Sequence, residues 1–261
     1  MDDSIKNILN RLEITPNRSL SQNFSKNSQI AKNIIFEANI KPDETVLEIG
    51  PGLGILTDEI IKKTENLIIV EKDSRLIEYL KGRYKDKDVR IIEGDILEIK
   101  MPNFDKVVSN LPFNISKPIT MNILKRDFKS SILTFQKEYI SKIKARKGDV
   151  NYSLLSVVVS TFAEVELLFD IPKHEFFPPP KVNATVVKMI PKEPEFEIID
   201  EEKYLVTVTE LFNYRRKMIK NALKIAFGIE KEVPLGNKRV GNLTPKEISR
   251  LVNYLVEKEY M

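Results

Sequence analysis

The 261-residue chain contains no cysteine and a single histidine, His174. Thiol nucleophiles, cysteine-ligated zinc or iron–sulfur sites, disulfide scaffolds and multi-histidine metal centres are therefore excluded. Long apolar runs are also missing. No stretch approaches the roughly 18 residues of a membrane span, and the amino terminus, Met1-Asp2-Asp3-Ser4-Ile5-Lys6-Asn7, is polar and begins acidic, unlike a signal peptide. The expectation is a soluble, cytoplasmic protein. Neither sign of charge dominates: 42 Lys and Arg oppose 38 Asp and Glu, for a formal charge of +4 and a pI near 8.9. That falls just short of a dedicated nucleic-acid-binding domain, roughly pI above 9, so net charge leaves the partner open. With 31% charged and 42% hydrophobic residues the composition is that of a globular chain rather than a disordered one.

Short apolar runs alternate with helical patterns between residues 44 and 191, which predicts an α/β fold. Strands are expected at Thr45 to Ile49, Leu67 to Val70, Val89 to Ile92, Lys106 to Ser109 and Ile132 to Phe135, with Val165 to Phe169 and Ala184 to Lys188 as an antiparallel, hairpin-like edge. Runs apolar on both faces suit a parallel sheet covered on each side. Helices are expected at Leu53 to Lys63, at Ser74 to Tyr84 behind an Asp73-Ser74 cap, and after Asn27-Ser28, where Ile30, Ile34, Ile35 and Ala38 form an apolar stripe. Beyond Pro191-Lys-Glu-Pro194 the composition shifts to helical stretches at about 201–213, 215–227 and 244–258, the last opened by a Thr244-Pro245-Lys246-Glu247 capping box. The expected organisation is a larger domain over 1–191 with an N-terminal helical extension, and a small all-α domain over 192–261.

The first strand runs into Glu48-Ile49-Gly50-Pro51-Gly52-Leu53-Gly54. Glycines permit tight turns and close backbone approach to a nucleotide. A dinucleotide fingerprint, G-x-G-x-x-G, would need glycine where Ile55 stands. The tighter G-x-G-x-G spacing behind an acid resembles the S-adenosylmethionine loop of class I methyltransferases. Glu71 closes the second strand, where a carboxylate accepts ribose hydroxyls in dehydrogenases and methyltransferases alike. Asp95, after the third strand, separates the two: a carboxylate there suits an adenine amino group in the methyltransferase geometry. Its alternative role is to cap a turn.

After the fourth strand stands Asn110-Leu111-Pro112-Phe113-Asn114-Ile115-Ser116. A purine's exocyclic amine is a poor nucleophile because its lone pair is delocalised into the ring. Two acceptors on its hydrogens, the Asn110 side-chain oxygen and the Leu111 carbonyl, would draw the nitrogen toward a tetrahedral shape and aim the lone pair at a methyl group. Pro112 ends the strand, and Phe113 would stack on the base. No strong base is needed, since the amine becomes acidic once it carries the methyl. A plain strand-to-helix turn is the bland alternative.

These motifs, together with Leu20-Ser21-Gln22-Asn23-Phe24, Gln136-Lys-Glu138 and Phe176-Phe-Pro-Pro-Pro-Lys-Val-Asn183, resemble in order the ribosomal RNA small-subunit adenine dimethyltransferases over almost the whole length. The resemblance implies a Rossmann-like class I methyltransferase sheet, S-adenosylmethionine as methyl donor with S-adenosylhomocysteine as product, and no metal in the chemistry. It implies that Asn23 and Ser25 lie at the donor's amino-acid end, Gly50 at the loop, Glu71 on the ribose, Asp95 on the adenine, and Asn110 on donor and target together. Phe176 is expected to complete a base sandwich with Phe113, core packing being its alternative; Phe177 is assigned to packing. Two positions depart from the family: Phe113 replaces the usual tyrosine, keeping the stacking face, and Ser25 stands where leucine is common, its contact expected through the backbone. His174 is expected on a loop, without a role.

Basic clusters at Lys137 to Lys147, including Lys144, Arg146 and Lys147, and at Arg215-Arg216-Lys217 are candidates for RNA phosphate contact, although charge runs are commonly only solvated faces. The resemblance implies dimethylation of two adjacent adenosines near the 3′ end of small-subunit ribosomal RNA, in a pre-ribosomal particle, by a monomer. Methylation of a large-subunit adenine and an assembly factor with a retained donor site are the alternatives.

Overall fold

The computed structural model describes residues 2–17 and 20–261. The chain divides into two compact units, residues 1–139 with 165–191, and residues 140–164 with 192–261.

The first unit is built on a seven-stranded sheet. Strand β1 (Phe24–Ser25) belongs elsewhere; the sheet comprises β2 (Val46–Ile49), β3 (Leu67–Glu71), β4 (Val89–Glu93), β5 (Lys106–Ser109), β6 (Ser130–Gln136), β7 (Ala163–Ile171) and β9 (Ala184–Pro191), in the order β4-β3-β2-β5-β6-β9-β7. β4, β3, β2, β5 and β6 pair in parallel, whereas β9 runs antiparallel to β6. β2, β3 and β5 are buried at every residue, as strands covered on both faces must be. β4 is only half-buried because it is an edge strand.

The helices around the sheet follow their capping chemistry. In α2 (Ser28–Ala38) the Asn27 side chain accepts from the Gln29 amide, and Asn39 ends the helix in the left-handed region at φ 45°. In α4 (Ser74–Arg83) Asp73 caps by accepting from the Arg75 amide. The helix expected from Leu53 shrinks to α3 (Thr57–Ile60). Gly52 and Gly54 hold φ of 59° and 84°, incompatible with a helix, so regular winding starts only beyond them. The unit also includes α1 (Asp2–Arg11), whose Ile5 and Leu9 enter the core, and α5 (Ser116–Ile123). A second, two-stranded sheet pairs β1 with β8 (Phe176–Phe177).

The second unit is helical and discontinuous in sequence. The expected boundary at residue 191 is corrected here: residues 140–164 belong with the carboxy-terminal helices. They carry most of α6 (Lys137–Ile143) and all of α7 (Leu154–Phe162), and their attachment is specific. The Tyr152 hydroxyl donates to the Leu243 carbonyl at 2.8 Å, and Thr161 Oγ1 and Tyr204 Oη share a hydrogen bond at 3.2 Å. α8 (Glu201–Asn213) and α10 (Pro245–Glu257) match their expected spans, α10 with the Thr244/Glu247 capping box formed. α9 starts later than expected, at Ile219–Phe227. Arg215 to Ile219 are instead tied to residues 238–241, with the Gly241 amide on the Arg215 carbonyl and the Ile219 amide on the Lys238 carbonyl.

At the end of the sheet where the parallel strands begin, a buried ionic cluster joins several elements. Lys106 Nζ lies 2.8 Å from Glu44 Oε2 and also donates to the carbonyls of Ala38 and Asn39, which end α2. Lys129 bridges Glu44 and Asp105. Burial raises the Glu44 carboxyl, but Lys106, the Lys41 amide and Lys129 outweigh it and hold the group below its ordinary value. Lys106→Ala would strand a buried carboxylate that retains only partial compensation. The expected loss is about 3 kcal/mol of unfolding free energy in a denaturant titration; a loss below about 1 kcal/mol would show that Lys129 alone suffices.

Candidate active site

Parallel pairing brings the carboxyl ends of β2, β3, β4 and β5 to one edge of the sheet, the place where open α/β sheets bind ligands. A pocket opens there, walled by the loop after β2, the ends of β3 to β5, and the segment Leu20 to Ser25. Gly50, at φ 66°, turns the chain away from β2 while its amide still bonds the Val70 carbonyl at 2.9 Å. At Gly54, also left-handed, a Cβ would collide with the Tyr84 hydroxyl, which donates to the Gly54 carbonyl and reaches Asp58. Both positions require glycine for stated steric reasons.

Two carboxylates underlie this loop. Glu48 is 1% exposed and accepts from Thr57 Oγ1 at 2.6 Å. Burial, with repulsion from Asp58 and Glu71, pushes its carboxyl up to about 8. Glu71 accepts from the amides of Lys72, Asp73 and Gly52, the last at 3.3 Å, so it ties the end of β3 to the glycine loop. Burial raises it as well. Among the described residues neither acid is ion-paired. A pocket wall with two buried carboxyls that are hydrogen-bonded but without a cation among the described residues fits a ligand that brings positive charge.

Asp95 combines its expected place with the alternative role. It lies in the pocket wall, yet its Oδ1 accepts the Leu97 amide at 2.9 Å, capping a turn, and its Oδ2 meets Lys72 Nζ at 2.7 Å. The Lys72 ammonium beside it holds the Asp95 carboxyl below its ordinary value. The amino-terminal segment is latched nearby. Gln22 donates to Asp73 Oδ2 at 2.9 Å, and Asp73 also takes Arg75. This positions Asn23, whose side chain donates to the Ser21 carbonyl, and Ser25 in β1, both in the pocket wall.

The end of β5 sits beside the glycine loop because Ser109 Oγ donates to the Ile49 carbonyl at 2.5 Å. Asn110, Leu111, Pro112 and Phe113 line the pocket. The Leu111 side chain is buried, and Phe113 opens a short 3-10 turn whose carbonyl takes the Ser116 hydroxyl. Asn110 Oδ1 is buried and without a hydrogen-bond partner among the described residues. A buried acceptor left empty costs free energy, so this oxygen is available to a ligand's donor.

Phe176 does not join this group. It is 2% exposed, paired with Ser25 across the β1–β8 ladder and packed in the apolar cluster with Phe24, away from the pocket wall. Its neighbour Phe177 is the more open of the two, with Lys6 Nζ 5.6 Å from its ring centroid. The burial of Phe176 matches its packing alternative, and the half-buried Phe177 rests against the same apolar cluster. His174 is exposed on its loop, 3.6 Å from Glu175. Lys144, Arg146, Lys147, Arg215, Arg216 and Lys217 are all exposed and all lie in the second unit. Lys147 is already paired with Glu247 at 3.3 Å, and Arg215 reaches the Val150 carbonyl at 3.4 Å. Ser109, Thr57, Gln22 and Lys72 were not foreseen as site residues. For Ser109, Gln22 and Lys72 the signal is a partner far along the chain, which spacing does not carry.

Strand order, glycine loop, terminal acids and the Asn-Leu-Pro-Phe turn together define a Rossmann-like methyltransferase. A similar fold is found in the crystal structure of a dimethyladenosine transferase from Plasmodium falciparum, with a TM-score of 0.75 and 28% identity over 90% of this chain and 98% of that one. The 23S rRNA methyltransferase ErmE superposes with a TM-score of 0.65 and 25% identity over 90% of this chain and all of that one. The chain belongs to the family described as ribosomal RNA adenine dimethylase, whose profile matches residues 14–257. It is 41% identical to a probable ribosomal RNA small subunit methyltransferase A of Thermococcus sibiricus, over 98% of this chain and 97% of that one.

Glu48 yields a prediction that needs no ligand. A carboxyl whose folded value is raised contributes stability that is full below its unfolded value, near 4.5, and is lost as pH rises through about 8. The free protein is expected to melt at progressively lower temperature between pH 5 and 8, and Glu48→Gln to flatten that decline. Melting curves of both proteins across this range decide it; parallel slopes would place the titration elsewhere.

Proposed function

We propose that the protein methylates adenosine amino groups of small-subunit ribosomal RNA, using S-adenosylmethionine, and carries two adjacent adenosines near the 3′ end to the dimethyl form. The observation that carries this reading is the buried Asn110 Oδ1, without a hydrogen-bond partner among the described residues, in the lining of a pocket that also holds Glu48 and Glu71, two acids without a cation. The donor supplies an electrophilic methyl group on a positively charged sulfur. The residues present fit it: Asn23 and the Ser25 backbone at the amino-acid end, Gly50 at the turn, Glu71 on the ribose, Asp95 on the adenine.

Asn110 does the central work. Its side-chain oxygen and the Leu111 carbonyl accept the two N–H bonds of the target amine, removing lone-pair delocalisation into the ring and orienting nitrogen for in-line attack. Pro112 fixes the turn so that both acceptors face one point. Phe113 stacks on the adenine, which must leave its own stack to enter the pocket. The proton departs from nitrogen after the methyl has bound, so no basic side chain is required. In the second round one N–H remains, and a single acceptor serves.

Lys144, Arg146, Lys147, Arg215, Arg216 and Lys217 would hold phosphates of the RNA in a pre-ribosomal particle, positioning it without reading its bases. The protein would work as a monomer in the cytoplasm. The high identity to small-subunit relatives favours that branch over a large-subunit target.

The test is transfer of labelled methyl to unmodified small and large ribosomal subunits, with the products mapped along each RNA. Dimethyladenosine near the 3′ end is expected; modification confined to large-subunit RNA, or none at all, overturns the reading. Asn110→Ala should lower turnover by about 10²- to 10³-fold, the scale for losing one preorganised polar contact in a transition state. Phe113→Ala should raise KM for the RNA more than it lowers kcat, because stacking acts on placement; steady-state kinetics on the same substrate separate the two.

A further inference from the structure

Lys72 follows Glu71 at the end of β3 and lines the pocket between two acids, Glu71 and Asp95. Its backbone amide donates to Glu71 Oε1 at 2.9 Å, while its ammonium reaches Asp95 Oδ2 at 2.7 Å. The pair joins residues far apart in sequence and spans the ends of neighbouring strands, since Glu71 is registered against Glu93. The Lys72 side chain is 53% exposed and the Asp95 side chain only 16%. The second Asp95 oxygen is fixed by the Leu97 amide. The carboxylate is therefore held from two sides, one covalently close in the chain and one supplied by Lys72.

We propose that Lys72 is a positioning residue for the adenine end of the donor: it holds Asp95 in the orientation in which that carboxylate accepts from an adenine amino group, and its methylene stem borders the same subsite. The inference rests on the donor reading above. An acceptor that could swing into water would pay to be ordered at each binding event, and Lys72 makes that ordering a property of the free protein. Its ammonium also keeps the acceptor charged, which strengthens the hydrogen bond it offers. The carboxylate retains further lone-pair positions beyond those used by Lys72 and Leu97, so the pair and the ligand can share it.

The experiment is calorimetric titration of S-adenosylhomocysteine into the wild-type protein, Lys72→Met, Lys72→Arg, Asp95→Asn and the Lys72→Met/Asp95→Asn double variant. Lys72→Met keeps the stem and removes the charge; it is expected to weaken binding about three- to fivefold, the scale of a half-exposed ion pair. Lys72→Arg should retain most of the affinity, because a guanidinium can restore the pair. The double variant should bind like Asp95→Asn alone, since Lys72 acts through Asp95. Unchanged affinity in Lys72→Met, or a multiplicative loss in the double variant, overturns the proposal. Wild-type protein that fails to bind S-adenosylhomocysteine overturns the donor reading itself, which separates the two failures. Melting temperatures of the variants, expected near that of the wild type for so exposed a lysine, guard against loss by unfolding.

Discussion

The ligand-facing edge depends on one backbone reversal, at Gly50 to Gly54. Left-handed torsions at Gly50, Gly52 and Gly54 carry the chain off β2 without a helix, and only so can the amide of Gly52 meet Glu71 while the Gly54 carbonyl meets Tyr84. The Ser109 bond to Ile49 then sets the end of β5 against this turn, so the polar groups of Asn110 face the same space as the acids of β2 and β3. Geometry at several strand ends is thus inherited from a single loop, and each neighbour adds one hydrogen bond to it rather than a separate framework.

Electrostatics divides the molecule along the strand axis. Where the parallel strands begin, Glu44, Lys106, Asp105 and Lys129 are mutually compensated, and the cluster serves cohesion. Where they end, Glu48 and Glu71 are buried without cations among the described residues, and their carboxyls are raised. The binding edge has its own ion pairs, Lys72 with Asp95 and Arg75 with Asp73, but leaves Glu48 and Glu71 without a cation, as suits an edge that keeps some interactions for a ligand.

How much of this could be read from the chain varied with the range of the interaction. β3, α2, α4 and α10 were legible because their signals are local: apolar runs for the strand, and Asn27, Asp73 and Thr244 as caps for the helices. The place of Glu71, Asp95 and Asn110 in one pocket lining was legible because strand ends converge on one edge in any parallel sheet. Phe176 was not, since its burial is decided by pairing with Ser25, some 150 positions earlier by number. α7 also escaped notice. It is apolar nearly all round, Leu155 to Val159 being buried without interruption, so no helical stripe marks it. The shortened start of α9 reflects backbone bonds to residues 238–241, invisible to any local pattern.

The second unit takes its residues from two separated stretches, 140–164 and 192–261, while β7 and β9, the last two strands of the sheet, are drawn largely from the stretch between them. The chain therefore leaves the first unit, returns to finish its sheet, and leaves again. Such threading removes modularity: neither unit corresponds to a contiguous span that could be deleted, swapped or released by one proteolytic cut. It also imposes an order on synthesis. α7 emerges from the ribosome before α8 and α10 exist to cover it, so its apolar surface must wait until those two helices have been made.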